Sequence, residues 1–145
     1  MKTEVQQNKR RISKKWIKNI MGFLGEQFAL KDVEISILIT DDEKMKILNK
    51  KYRGINESTD VLSFSLREGE DNVFYKLLGD IVISWDRAKK DAREIKIPLK
   101  EELATLLIHG FLHLMEYKDD NEENFCKMKK KQEELLLMLK EKNYV

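Results

Sequence analysis

The stretch from Leu103 to Met115 constrains this chain more than any other. Only Thr105, His109, Gly110 and His113 interrupt its apolar residues. A helix that is apolar nearly all round is a buried one, so the fold has to wrap other elements around it. Successive helical residues turn by about 100°, which puts His109 and His113 one above the other on a single face. Glu102, Thr105 and Glu116 fall near the same stripe. These two histidines are also the only ones in the chain.

Buried imidazoles need partners. On spacing alone, ordinary hydrogen bonds to a carbonyl or carboxylate account for such a pair. The sharper reading is that both rings share one divalent metal, bound at ~2.0–2.1 Å if the ion is zinc. A catalytic centre then needs a third protein ligand and an open position. Glu116, Asp119 and Asp120 follow the helix. If the helix stops near Met115 or Glu116, the chain swings back and Asp119 is placed to complete the set. If it runs on, Glu116 is the ligand. A His-His-carboxylate set suits zinc and tolerates nickel, cobalt, manganese or iron.

The rest of the chain supplies the wrapping. Ile12, Trp16, Ile20, Leu24 and Phe28 recur every four residues and predict a helix over about 10–28. "VEISILIT" alternates and predicts a strand. Thr40 and Glu43 form a capping-box pattern that opens a second helix, with Met45, Leu48 and Tyr52 inward. "GINEST" is loop chemistry, "DVLSFSL" a strand, and "REGEDN" a turn or longer loop. "LLGDIVISW" is a third strand, where Gly79 marks a bulge or a close backbone approach. "DRAKKDAREI" is a charged helix. Pro98 suits the first turn of the histidine helix. A final amphipathic helix from Asn121 turns Phe125, Met128, Leu135 and Leu139 inward.

Strands in the middle and helices around them predict an α+β fold, a small mixed β-sheet covered by about five helices. The second and third strands can form a hairpin. With 145 residues, 41% of them hydrophobic and 37% charged, residues 1–145 fit a single domain with a real core.

A net charge of +2 sets up no strong global field toward nucleic acid. The basic runs "KRRISKK" and "KMKKK" read as solvated helix faces. Cys126 is alone, which excludes an internal disulfide and fits a reducing cytoplasm. No apolar run reaches membrane-spanning length and no signal-peptide core opens the chain, so a cytoplasmic protein without a membrane partner is expected. Gly110 stands where H-E-x-x-H zinc proteases carry their glutamate base, which counts against peptide hydrolysis by that route. One cysteine excludes the P-C-x-x-C pattern of zinc deaminases.

Three blocks of the sequence carry a family resemblance. "HGFLHLMEYKDD" resembles the H-G-x-L-H-L-x-G-Y-D-H motif of the YbeY family of metal-dependent endoribonucleases. "LNKKYRGINESTDVLSFSL" is similar to that family's L-N-x-x-Y-R…T-D-V-L-S-F segment, and "LLGDIVIS" to its L-G-D-I-x-I segment. The blocks come in the family's order and the likeness runs from about Ile35 to Met138. It implies a zincin-like metal helix and a cytoplasmic enzyme that cleaves single-stranded RNA. It also implies work on the ribosome, in maturing the 3′ end of small-subunit rRNA and in ribosome quality control. Neither DNA nor a membrane is implied as a partner.

By the same resemblance His109 and His113 are metal ligands, Asp119 stands at the third ligand position, and Arg53 matches a functional arginine. The implied cofactor is one divalent metal per chain, zinc being the expected ion. The chain departs from the motif at Glu116, where the family has glycine, and at Asp119, where it has histidine. The family's usual first strand has no readable counterpart here.

Read as chemistry, Arg53 can hold charge that grows on a phosphoryl group, since a planar guanidinium offers two parallel hydrogen bonds. The bland alternative is a helix-end cation favoured by the dipole. Asp60 and Asp80 stand beside strand runs, where one can orient a histidine ring or simply cap a strand. Two other functions compete: a ribosome-binding factor whose metal is structural, and a metallopeptidase-like hydrolase.

Overall fold

A computed structural model describes residues 1–9, 11–66 and 76–145; the turn expected over "REGEDN" lies outside them. The elements are β1 (Lys2–Gln7), α1 (Lys14–Gln27), β2 (Glu34–Thr40), α2 (Asp42–Arg53), β3 (Val61–Ser65), β4 (Leu77–Ser84), α3 (Trp85–Ile95), α4 (Leu99–Leu114) and α5 (Glu122–Glu141). The strands lie in the order β1-β2-β4-β3. β1, β2 and β4 run parallel, while β3 pairs antiparallel with β4 as the hairpin reading expected.

Side-chain alternation splits the sheet into two faces. Ile35, Ile37 and Ile39 of β2 join Ile81 and Ile83 of β4 in the main core, with α1, α4 and α5. Leu38, Leu62, Phe64 and Val82 point the other way and meet Met45 and Leu48 of α2. A bulge interrupts the rhythm. Glu34 pairs with Leu77 and Ile35 with Gly79, so Leu78 is an extra residue. That one-residue offset lets Leu78 enter the same core as Ile81 and Ile83. Gly79 has φ +154°, and a Cβ there would strike the Phe64 carbonyl and come within 2.8 Å of Leu114 Cδ2.

α4 is enclosed as its composition demands. It packs against β3, β4, α1, α3 and α5. Gly110 lets it settle onto the sheet, since a Cβ would come within 2.9 Å of the Ile81 side chain. Fully buried side chains such as Phe111 and Ile81 each contribute about 1.5–3 kcal/mol.

Several expectations need correction. The cap of α2 is Asp41, whose side chain accepts from the Lys44 N–H at 2.8 Å. Thr40 instead remains in β2 and is buried. α1 starts at Lys14 behind the Ser13 cap, not at residue 10, and Pro98 is the N-cap of α4, one place before its first turn. Tyr52 is 57% exposed and Phe125 51%, although both sit at inward-reading positions. The first strand, unreadable in the sequence, is β1. Only Thr3 and Val5 of its six residues face inward, and one alternation of an apolar and a polar residue carries no periodic signal.

Candidate metal centre

The end of α4 builds the centre. Met115 is the C-cap and Glu116 adopts φ +70°. The Tyr117 N–H donates to Leu112 O and the Glu116 N–H to His113 O, each at 3.0 Å. This is the Schellman closure, which turns the chain back over the helix it has just left. Tyr117 then seals the turn from inside, its ring edge-on to Phe28 at 6.4 Å. The helix therefore stops early, and the chain returns Asp119 to the histidine face.

Three side chains converge. His109 Nε2 and His113 Nε2 are 3.1 Å apart, and Asp119 Oδ2 lies 3.6 Å from His113 Nε2. One possible ligand atom from each of the three falls within 4.8 Å of the others, and among the described residues this is the group that could hold a metal ion. Each ring is held from behind. His113 Nδ1 donates to the Tyr117 carbonyl at 3.1 Å, and His109 Nδ1 to Gln132 Oε1 of α5 at 3.0 Å. Both acceptors call for the proton on Nδ1, and that tautomer leaves both Nε2 atoms bare, with two lone pairs facing each other.

Such a pair repels unless a cation lies between. Bonds of ~2.0–2.2 Å in a tetrahedral arrangement separate ligand atoms by about 3.3–3.6 Å, close to the spacings found. The donor set thus fits a divalent metal. Burial pushes the His113 imidazole below its ordinary range, and His109 adds to this, while Asp119 and the Tyr117 carbonyl oppose it. A ring that resists protonation keeps its lone pair available.

A cavity of about 830 Å³ opens over these residues, and Asn49, Arg53, Thr59 and Ser63 line its other side. Arg53 closes α2 just before Gly54, whose φ of +72° ends the helix. Its Nη2 donates to Ser63 O at 2.7 Å, and its guanidinium lies 5.5 Å over the Phe64 ring. Arg53 is thus held at the rim by the edge strand β3. Asn49 pins the loop after the helix through a 2.8 Å bond to Glu57 O.

The structure brings His109, His113 and Asp119 together and sets Arg53 across the same cavity. Glu116 lines the cavity without joining the cluster. Neither Asp60 nor Asp80 orients a ring. Asp60 accepts from the Val61 N–H at the start of β3, and Asp80 accepts from Ser36 across the sheet. The residue that sequence reasoning missed is Gln132. It lies 23 positions from His109 on a helix with no local link to it, so no spacing rule could have found it.

The family model described as Endoribonuclease YbeY matches residues 2–140. Proteins named Endoribonuclease YbeY are similar along most of their length. One from Persephonella marina is 45% identical over 114 residues, covering 79% of this chain and 74% of its own. Another from Syntrophus aciditrophicus is 43% identical over 138 residues, covering 92% and 86%. A protein from Thermotoga maritima, solved in solution, superposes with a TM-score of 0.64 at 28% identity, over 98% of this chain and 94% of its own. A match that spans both cavity walls, together with relatives at these identities, means that the chain belongs to the YbeY family.

Proposed function

We propose that this protein is a metal-dependent endoribonuclease acting on single-stranded RNA, in 3′-end maturation of small-subunit rRNA and in ribosome quality control. In this reading residues 1–145 work as one cytoplasmic domain. No helix among the described residues is long and apolar enough to cross a membrane. The carrying observation is the pair of histidine Nε2 atoms 3.1 Å apart with Asp119 beside them, facing Arg53 across one cavity.

His109, His113 and Asp119 would hold the ion, with zinc favoured by two nitrogens and one carboxylate. When bound, it supplies Lewis acidity toward a phosphoryl oxygen and lowers the pKa of water toward ~7. Gln132 and the Tyr117 carbonyl keep both rings turned inward. Arg53 has one N–H committed to Ser63 O and presents its remaining donors to a phosphoryl group, where negative charge grows in the transition state. Asp119 would bring one negative charge to the set and so would offset more of the ion's charge than a third histidine.

The test is metal content, melting temperature and RNA cleavage before and after chelation, with a peptide substrate in parallel. The reading expects stoichiometric zinc, RNA cleavage that vanishes with the metal, and no peptide cleavage. Loss of melting temperature on chelation without any cleavage at any stage would establish a structural metal instead. Asp119→Ala should weaken metal binding by more than ~10–100-fold, the scale for residues behind the ligands. Asp119→His should keep the metal and shift the pH–rate profile to lower pH.

A further inference from the structure

Beyond the rim of the cavity lies an aromatic side chain that core packing does not use. Tyr52 precedes Arg53 on α2 and is 57% exposed. Its ring meets Phe64 with centroids 5.2 Å apart and planes 58° apart. Phe64 in turn is fixed against the Met45, Leu62 and Val82 cluster. The Arg53 guanidinium lies over that same Phe64 ring, and Lys51 Nζ lies 5.1 Å over the ring of Tyr52.

These contacts form one row. It leads from the histidine cavity through Arg53 to Phe64 and Tyr52, with Lys51 at its far end. Two adjacent aromatic rings stand in its middle, with a cation at each end. That arrangement suits a single nucleic-acid strand, whose flat π-faces can meet a ring while its anionic phosphates meet the flanking cations. A paired duplex keeps its bases stacked internally and cannot offer those faces. Lys51 covers Tyr52 only with the tip of a flexible stem, so a base can replace it over the ring while its ammonium turns to a phosphate.

We propose that Tyr52, backed by Phe64 and flanked by Lys51 and Arg53, is a stacking platform for a nucleobase of single-stranded RNA, one that flanks the bond being cleaved. This rests on the endoribonuclease reading, and it assigns to α2 the task of fixing the strand's register over the cavity.

The test is equilibrium binding of a short 2′-O-methyl RNA to the metal-loaded protein, using the intact strand and strands with one abasic position each. Tyr52→Ala should bind the intact strand about tenfold more weakly, within the range for losing one base–aromatic stack. Tyr52→Leu, which keeps apolar cover over Phe64 without a π-face, should lose as much. Tyr52→Phe and Tyr52→Trp should bind like wild type or tighter. In wild type one abasic position should cost a similar factor, and in Tyr52→Leu that position should cost nothing more.

Wild-type affinity in Tyr52→Leu would overturn the proposal. So would abasic strands that lose equally in wild type and variant. Cleavage separates the two claims. A protein that binds through Tyr52 but never cleaves sinks the nuclease reading alone. One that cleaves, with Tyr52→Leu matching it in KM and affinity, sinks the platform alone.

Discussion

Two helices face each other across the cavity, and they are built on opposite principles. α4 is buried along most of its length, whereas α2 buries only Met45 and Asn49. α4 supplies both histidines from its last two turns, on backbone packed into the core. α2 supplies Arg53 from its last residue. Both end in a left-handed residue, but that residue is Gly54 after α2 and Glu116 after α4. The difference separates two tasks. Metal ligands need positions fixed to a fraction of an ångström, which a close-packed helix provides. A group that meets a flexible strand works better from a helix end held by one carbonyl and one aromatic ring.

If that division holds, damage on the α4 side should abolish the metal, and damage on the α2 side should spare it. The largest effect belongs to His109→Ala and His113→Ala, each of which should lose most bound metal and nearly all RNA cleavage. Full metal occupancy in either variant would break the assignment. Next comes Arg53→Ala, with metal and melting temperature kept and cleavage down about 10²–10³-fold, the scale for one transition-state donor. Arg53→Lys should recover part of it, because lysine lacks the planar fork. Metal loss in Arg53→Ala would show that the two walls are not independent.

Gln132→Ala should weaken metal affinity by about 10–100-fold through a loosened His109 ring, read by competition with a chromogenic chelator. A smaller effect concerns Glu102, only 7% exposed on α4. Burial holds its carboxyl above the usual 4.5, helped by Asp91, Asp60 and Glu101. The folded state therefore favours the protonated form. The associated stability is present below that ordinary value and is lost as pH rises through the raised one. Glu102→Gln should melt higher than wild type at pH 7 and near wild type at pH 4. Parallel melting curves across that window would contradict the sign.

The smallest effect is Glu116→Gly. A left-handed conformation costs a non-glycine residue roughly 1–2 kcal/mol, and the entropy of an unfolded glycine takes back about half. The variant should be stabilised by about 0.5–1 kcal/mol and keep its metal. Destabilisation would mean that the Glu116 side chain has a role at the cavity rim.

The buried histidine helix and the shared face of His109 and His113 were legible in the sequence, because burial and the 3.6-residue period act locally. Periodicity left open whether the helix stops early or runs on to Glu116, and Asp119 stood out only through the family resemblance. What stayed hidden was set by tertiary contact. β1 pairs with β2 along its whole length, yet its residues "KTEVQQ" hold a single apolar side chain. Tyr52 and Phe125 follow the inward spacing of their helices, but each sits near a helix end where the core has run out. Thr40 and Asp41 are both good caps. The sheet decides between them by keeping Thr40 paired with Ser84 in the last register of β2 and β4.

Gln132 carries a final consequence. It ties the orientation of the His109 ring to the seating of α5, which the Glu101–Lys140 ion pair and buried Leu135 and Leu139 also hold. Linkage is reciprocal. If His109 ligates the ion, whatever loosens α5 lowers the affinity for it, and the ion in turn slows the opening of α5. Amide hydrogens near Gln132 should exchange more slowly in the metal-loaded protein than in the chelated one, while those of α2 should change little. The last helix would then report occupancy, readable without any substrate.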